Sequence, residues 1–487
     1  MFRSLLSNKN VWFLLLALVI LRLPFINRPL SKHHDFVTAV FLLNAESWAQ
    51  AGGGKQFYYT PLLTYQGSAN RILEKGAHVD AKGNHVYLSF GAGWYVLPYF
   101  LFKILFIPFT PFTVQLFSII VGMVTAVFMY GLLLAVTHNP AHAFAGTLLY
   151  VLLPAALWYG GTAFVQTAMM LPLVLIILFL WHLFEKNTSG INLRNLSAFT
   201  IAGLLLCYID WFGVFLCLMM ALWAFLKSRN SKQYLVLSFI GLVVAVSAVF
   251  LILWQFSAYL GWLQVINYWK ARFVDRSAGT SEFSLPVMFI MVLKNLATGY
   301  LPISILTAVV FLKINFVKIS FKPQWPLWAL AVVIPYNGLF FNWSAVHEFA
   351  WMAFGLIACI VVTVYIFPLF EKRGLIKLLT TTSIFSLAVY YTINLPGRKS
   401  WKGEAYNLHQ KSGAIIRRYT NPQLPVFTNA NNDKIVTFYS KRTLNAVSGF
   451  AEAVTLARQF GWRGGAWVEL KDGKVEKIIR FSPPSGR

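Results

Sequence analysis

The chain has 487 residues, of which 58% are hydrophobic, 17% are aromatic and only 12% are charged. A soluble domain holds about 25% charged residues, so this composition excludes a soluble globular protein and indicates an α-helical polytopic membrane protein. The formal net charge of +25 comes from Lys and Arg residues dispersed through short loops, without a nucleic-acid-binding motif. We interpret this excess as topology signals and as affinity for anionic lipid and phosphate, and we predict no nucleic-acid partner.

The apolar runs are long enough for many membrane crossings, since one crossing takes about 17–25 apolar residues. The first run, at 11–26, follows a basic N-terminus and precedes no small-residue cleavage site, which predicts an uncleaved first transmembrane helix. Further clear spans follow at 113–136, 142–159, 164–184, 234–256, 325–343, 349–370 and 374–394, and shorter candidates lie at 91–109, 196–209, 211–226 and 300–314.

The most basic short connections predict the orientation of these spans. They lie at 227–233, 313–322 and 371–377. If they are cytoplasmic, either 91–109 dips into the outer leaflet and 196–226 is two short helices broken near Asp210, or 91–109 crosses and 196–226 is one helix. Both solutions give about eleven transmembrane helices with the C-terminus outside. The first is preferred because a carboxylate inside a continuous membrane helix costs about 2.5–3.5 kcal/mol.

Two outer loops and a tail complete the predicted organisation. Residues 27–112 form a long first extracytoplasmic loop, and 257–298 form a second loop with an amphipathic run. From 395 the composition becomes that of a soluble domain. There we predict helices at 403–419 and 449–460, and strands at PVFTNA, KIVTFYS, GAWVEL and KVEKIIRF. We therefore divide the chain into a transmembrane domain, 1–394, and a small extracytoplasmic α/β domain, 395–487.

The first loop opens with the candidate catalytic residue. Asp35, in the run HHDF, lies where the first apolar run has ended. A carboxylate there could deprotonate an acceptor hydroxyl, so that its oxygen attacks a sugar carbon in line and displaces a phosphate. The alternative is an N-cap or interfacial aspartate with no chemical role.

Cationic side chains are the candidates for holding the leaving phosphate. Arg71 and Lys75 are four residues apart and could present one cationic face, although a solvated helix face explains either residue alone. Arg272, in the second loop, is a further candidate. A divalent metal at His34, Asp35 and Glu46 is chemically possible, but no recognised ligand spacing demands one, and no other cofactor is predicted.

Three acidic or basic side chains at the ends of later spans are site candidates. His347 and Glu348 lie directly before an apolar helix, where an ionisable pair is costly unless it is paired or hydrated. Their alternative is a satisfied interfacial pair. Asp210 lies at the predicted helix break, where capping a half-helix is ranked before lining a cavity. Together with His34 and Glu46, Asp210 and Glu348 are cavity-lining candidates.

These features together resemble a known family. One apolar helix, a long outer loop that opens with an aspartate, the stretch YLSFGAGWYVLPY (87–99), about ten more helices and an outer α/β tail resemble the GT-C glycosyltransferases. The closest likeness is to the bacterial branch related to protein O-mannosyltransferases and aminoarabinose lipid A transferases. The triplet HEF at 347–349 resembles the His-Glu-Tyr type motif that precedes a late helix in that group.

The resemblance implies a multispanning enzyme of the inner (plasma) membrane. Its reaction would be an inverting transfer of a hexosyl or pentosyl group, from a polyprenyl-phosphate-linked sugar to a hydroxyl of a glycolipid, protein or polymer on the outer face. Asp35 would be the family's catalytic aspartate, with His347 among the residues that hold the donor phosphate. Phe36 stands where the family often has a second carboxylate, and Gly91-Ala92-Gly93 stands where many relatives have paired prolines.

Two other classes of function compete with this interpretation. A transporter or flippase for a lipid-linked or amphipathic solute would explain Asp210 and the basic loops, but it predicts repeats and paired broken helices that the sequence does not show. A ligase or polymerase of surface glycans would place its large loop late in the chain, whereas the larger loop here comes first.

Overall fold

The structure is a computed structural model, which describes residues 5–23, 26–30, 34–73, 76–184, 193–230, 232–277, 283–316, 325–369, 374, 377–379, 381–383, 385–387, 407–430 and 433–482. The helices before residue 230 are α1 (Lys9–Arg22), α2 (Phe36–Gln50), α3 (Gly93–Ile104), α4 (Pro111–Thr137), α5 (Pro140–Leu152), α6 (Pro154–Tyr159), α7 (Val165–Ala168), α8 (Met170–Phe184), α9 (Leu193–Ile209) and α10 (Trp211–Lys227). The later helices are α11 (Lys232–Leu260), α12 (Trp262–Arg276), α13 (Leu285–Gly299), α14 (Leu301–Phe316), α15 (Trp325–Leu339), α16 (Phe341–Val346), α17 (Met352–Tyr365), α18 (Leu408–Tyr419), α19 (Lys434–Ser440) and α20 (Phe450–Gln459).

The chain folds as two compact units. Unit 1 comprises Met1–Ile26, Gln115–Ile252 and Lys270–Asn394, and unit 2 comprises Asn27–Val114, Leu253–Trp269 and Leu395–Arg487. Unit 2 thus groups the first loop with the C-terminal part, a grouping that composition did not indicate. The division of the chain into 1–394 and 395–487 stays a prediction.

Several helices have the length and composition of membrane spans. Within the described ranges, four are long and apolar enough to cross a bilayer: 111–137, 165–182, 232–260 and 348–369. The 29 residues of α11 rise about 43 Å, more than the ~30 Å hydrocarbon core. A fifth candidate is the pair α13 and α14, which bend by 109° at Tyr300. The total of about eleven spans stays a prediction.

The predicted break at Asp210 is present. Helix α9 ends at Ile209 and α10 begins at Trp211, and the Asp210 side chain accepts a hydrogen bond from the Phe212 amide at 2.8 Å. This bond satisfies one of the amide donors that the start of a helix leaves without an intrahelical partner. Asp210 therefore caps α10, as the sequence ranked first.

Helix α3 is too short to span a membrane. Its 12 residues rise about 18 Å, and Pro98 lies inside it. Its last turn and the two residues after it expose large apolar side chains, with Ile104 70% and Phe106 94% exposed. These exposures suit a segment that dips into lipid, and the dip itself stays a prediction.

The C-terminal part contains a small sheet of four strands. They are β1 (Val426–Thr428), β2 (Leu444–Ala446), β3 (Gly465–Lys471) and β4 (Lys474–Phe481), in the order β2-β1-β3-β4. Strand β1 is parallel to β2 and β3, and β4 is antiparallel to β3. Since side chains alternate along a strand, Val426 and Val468 pack with Ile416 of α18, whereas Phe427 and Trp467 pack with α20. Leu73 of the first loop joins the second cluster.

Three sequence predictions are wrong in part. KIVTFYS is helix α19 rather than a strand, because the Asp433 side chain accepts hydrogen bonds from the amides of Ile435 and Val436 and so starts a helix. Residues 257–298, predicted as a loop, contain the end of α11, α12 and the apolar helix α13. The predicted span 142–159 divides into α5 and α6 at Pro154, which cannot continue the α5 hydrogen-bond ladder.

Candidate functional site

Asp35 lies directly before α2 in unit 2 and is 0% exposed. One carboxylate oxygen accepts a bond from Arg28 Nη2 at 2.8 Å, and both side chains are buried. Although Asp35 holds the N-cap position, its side chain makes no capping hydrogen bond. The geometry therefore favours a role other than capping for this carboxylate.

His34 precedes Asp35 in a left-handed backbone conformation, with φ of 57°. A non-glycine residue adopts this conformation only at a cost, which marks a constrained turn. The His34 ring packs edge-on against Phe36, with ring centroids 6.1 Å apart. The two residues that flank Asp35 in the chain are therefore fixed by their own ring contact.

Glu46 contacts the C-terminal part of unit 2. Lys441 Nζ bonds to its carboxylate, and Tyr65 Oη donates to the other carboxylate oxygen at 2.8 Å. Burial, reinforced by the Glu46 charge, raises the pKa of the Tyr65 phenol well above its usual range. Glu46 therefore links the first loop to Lys441, the residue that directly follows α19.

A second contact inside unit 2 joins His85 and Lys434. The Lys434 Nζ lies 3.2 Å from His85 Nδ1, and the rings of His78 and His85 are 5.0 Å apart. Burial lowers the pKa of Lys434 to about 7, although the Asp433 charge opposes this shift. Lys434 consequently loses its proton near neutral pH.

Asp210 of unit 1 is fully buried among neutral hydrogen-bond donors. Gln166 Nε2 and Tyr336 Oη each donate to it at 3.0 Å, in addition to the capping amide. These neutral donors satisfy the buried carboxylate oxygens, and the charge of Arg276 also acts on Asp210. This arrangement fits a structural cap that closes a helix break.

The side chains of the adjacent residues His347 and Glu348 contact different groups. The buried Glu348 carboxylate accepts from Tyr159 Oη at 2.8 Å, and its backbone oxygen accepts from Tyr300 Oη at 3.1 Å. The His347 ring is half-buried and stacks on Phe349 at 4.7 Å. The His–Glu pair predicted from the sequence is therefore held by separate partners, all in unit 1.

The second-loop arginines differ in burial. Arg272 is 39% exposed and pairs with the exposed Asp275 at 3.3 Å. Arg276, one turn later in α12, is buried and lies 5.4 Å from the Trp343 ring centroid. Arg276 is thus a better candidate than Arg272 for binding an anion inside unit 1, because its guanidinium is withdrawn from bulk water.

The remaining predicted cations lie elsewhere. Arg71 is exposed on a groove that Asp35 does not line, as far as the described residues show. Lys75 lies outside the described residues. Within the described part of the chain, no three His, Cys, Asp or Glu side chains are arranged to hold a metal ion. The divalent metal suggested at His34, Asp35 and Glu46 stays a prediction.

Comparison with solved structures identifies the fold. ArnT from Cupriavidus metallidurans bound to undecaprenyl phosphate matches with a TM-score of 0.59 and 13% identity, over 96% of this chain and 94% of that one. The archaeal oligosaccharyltransferase AglB from Archaeoglobus fulgidus, in complex with an inhibitory peptide and a dolichol-phosphate, matches with a TM-score of 0.60 and 12% identity, over 96% of this chain and 69% of that one. The chain has a GT-C fold. No protein-family model and no curated protein matches its sequence.

The GT-C fold confirms the resemblance read from the sequence, but identity this low carries no residue roles. Sequence reasoning missed four side chains that complete the candidate sites: Arg28, Gln166, Arg276 and Tyr336. Arg28 could have been found in the sequence as a cation seven residues before Asp35, although only the structure shows that it is buried. The other three come from segments distant in the chain, and no local pattern indicates them.

Proposed function

We propose that this protein is a membrane glycosyltransferase. It transfers a sugar from a polyprenyl-phosphate donor to an acceptor hydroxyl of a glycolipid, protein or polymer, on the outer face of the plasma membrane. The observation that carries the proposal is the Asp35 carboxylate, which is buried, held by a guanidinium and not engaged in capping the helix it precedes.

The fold supports a lipid-phosphate donor. The ArnT structure is bound to undecaprenyl phosphate and the AglB structure to a dolichol-phosphate, and both are polyprenyl phosphates. The match to ArnT covers nearly all of both chains. Shared architecture of this extent favours a shared class of lipid donor, while the sugar and the acceptor depend on a few pocket side chains.

The proposed reaction uses Asp35 as a general base. Its carboxylate accepts the proton of the acceptor hydroxyl while that oxygen bonds to the anomeric carbon from the face opposite the phosphate. The bond between the anomeric carbon and the phosphate oxygen breaks, and polyprenyl phosphate leaves with the electron pair. The anomeric configuration inverts because the displacement takes place in one step.

Arg28 has a positioning role in this scheme. Its guanidinium, 2.8 Å from Asp35, restricts the carboxylate to one orientation and supplies the counter-charge that burial requires. A base held in one orientation can be set against an acceptor hydroxyl without losing rotamer freedom in the reaction. Arg28 would therefore affect turnover more than substrate affinity.

The leaving phosphate needs cations or polar hydrogens near it. Unit 1 offers two candidates for binding a phosphate, since Arg276 is a buried guanidinium and the half-buried His347 ring lies 6.4 Å from the Trp343 ring that Arg276 contacts. Negative charge develops on the phosphate as its bond breaks, so a buried cation stabilises the transition state more than the bound donor. Arg272 and Lys75 remain secondary candidates.

The test measures sugar transfer by the purified full-length protein in nanodiscs, with a panel of polyprenyl-phosphate-linked sugars. We expect Asp35→Asn to lower kcat about a hundredfold or more, because removal of a general base costs 10²–10⁴. The matched control is Asp275→Asn, an exposed carboxylate 58% accessible to solvent, which should keep full activity. Undiminished transfer by Asp35→Asn contradicts the proposal, and lipid translocation without transfer would favour the flippase.

A further inference from the structure

One wall of a groove of about 890 Å³ within unit 2 is formed by Leu260, the last residue of α11, and by the start of α12. The other wall consists of residues 71–73 and 76–83 of the first loop, and Phe460 also lines the groove. Asp35 and Arg28 are absent from the described residues that line it. A ligand bound in the groove would therefore be distinct from one bound at the Asp35 carboxylate.

Hydrogen bonds hold the two walls together. Gln264 Nε2 donates to the Val79 carbonyl oxygen at 2.8 Å, and Tyr259 Oη donates to the Asp80 carboxylate. Between these two residues Gly261 adopts φ of 83°, a turn that a side chain would strain and that separates α11 from α12. The groove is thus preformed and does not depend on a ligand for its shape.

The charge available to a ligand in the groove is positive. The Asp80 oxygens accept from the amides of Lys82 and Asn84, each at 2.8 Å, and also from the Asn84 side chain and Tyr259. These donors occupy the oxygens of Asp80, the one carboxylate among the described residues that line the groove, whereas two cations, Arg71 and Lys82, line it. The exposed side chains of Arg71 and Lys82 remain to meet an anion.

Apart from Gln264 and Asn267, the rest of the lining is apolar, and it adjoins the end of the candidate membrane span α11. Trp262 is 59% exposed and Leu263 71% exposed, directly after the 29-residue apolar helix α11. Tryptophan is enriched at the level of lipid headgroups, and basic side chains beside it attract anionic lipid by about 1 kcal/mol each. The exposed Phe460 adds a third apolar contact.

From this combination we infer that the groove is a binding site for the headgroup of an anionic phospholipid of the surrounding bilayer. Arg71 and Lys82 contact the lipid phosphate, while Trp262 and Leu263 lie against the glycerol and the first methylene groups. The overall charge of +25 favours the same class of partner. The site would anchor unit 2 to lipid, independently of any sugar transfer.

The test uses the full-length protein in phosphatidylcholine nanodiscs with and without phosphatidylglycerol, and native mass spectrometry to count retained lipid. We expect the wild type to retain phosphatidylglycerol in preference to phosphatidylcholine. Arg71→Gln/Lys82→Gln should bind it about thirtyfold more weakly, since each cation contributes about fivefold. The matched control, Arg463→Gln/Lys477→Gln, removes the same charge from exposed positions outside the groove and should keep the preference.

A second variant and an elution profile test the same assignment. Leu263→Asp should also weaken retention, because it places a like charge beside the lipid phosphate. Equal retention by the groove variant and the wild type, or equal loss in the groove and control variants, would overturn the assignment. Monodisperse elution of each variant shows that loss of lipid does not come from misfolding.

Discussion

Removing Arg28 should destabilise the protein strongly, because it leaves the Asp35 carboxylate buried without its counter-charge. The two side chains are 8% and 0% exposed and their charged atoms lie 2.8 Å apart. Breaking such a buried pair from one side costs about 3–5 kcal/mol, which is two to three and a half powers of ten in the folding equilibrium. We therefore expect Arg28→Gln to unfold at a clearly lower temperature than the wild type.

The double variant Arg28→Gln/Asp35→Asn tests the reason for this loss. It removes both charges, so it should recover most of the stability that Arg28→Gln loses. Fluorescence-detected size-exclusion chromatography after heating measures all three proteins in the same detergent. As a control, Asp275→Asn breaks an exposed pair, which contributes only about 0–1 kcal/mol. Equal melting of the single and double variants would refute the argument from uncompensated charge.

Three further predictions concern other contacts. Asp210→Ala should lower the melting temperature more than Asp210→Asn, because Asn keeps an acceptor for the Phe212 amide and a lost cap alone costs about 0.5–2 kcal/mol; the same heating assay measures both. Tyr159→Phe should destabilise by about 1–3 kcal/mol by leaving the buried Glu348 carboxylate short of a donor, and unchanged melting would contradict this. Burial lowers the pKa of Lys434 to about 7 from 10.5, so the folded state binds this proton less tightly than the unfolded state. The free energy of unfolding should therefore rise with pH between about 7 and 10.5, by at most about 1.4 kcal/mol per pH unit, and Lys434→Met should flatten that rise in denaturant titrations.

The sequence was sufficient wherever composition or a costly charge decided the structure. Apolar length predicted α4 and α11, and the cost of a carboxylate in a continuous helix predicted the break at Asp210. The same reasoning singled out Asp35 as the first acidic residue after the first span. In each case the decisive energy is local, so a single stretch of chain carries the information.

Partners distant in the chain could not be predicted in this way. Lys441 bonds to Glu46, which is 395 residues away, and Gln166 and Tyr336 reach Asp210 from separate helices. The error at α19 has a local cause. Its β-branched and aromatic residues suggested a strand, but the capping bonds of Asp433 and packing against neighbouring helices outweigh a propensity of about 1 kcal/mol.

The buried carboxylates of Asp210, Glu348 and Asp35 differ in the groups that contact them. Asp210 accepts hydrogen bonds from an amide, a glutamine and a phenol, and the Arg276 charge also acts on it, while Glu348 accepts from a phenol, so the hydrogen bonds that these contacts supply come from neutral groups. Asp35 instead forms a direct ion pair with Arg28. A carboxylate held by neutral donors can be replaced by an amide with little disturbance, whereas Asp35→Asn leaves Arg28 as a buried cation.

This difference determines how the catalytic test is interpreted. Loss of sugar transfer in Asp35→Asn alone has two explanations, the missing base or a displaced Arg28. Arg28→Gln/Asp35→Asn removes this cation as well, so a double variant that melts like the wild type and still transfers no sugar assigns the loss to the missing base. If the double variant instead regains transfer, Asp35 serves only to hold Arg28, and the base in this GT-C fold is another residue.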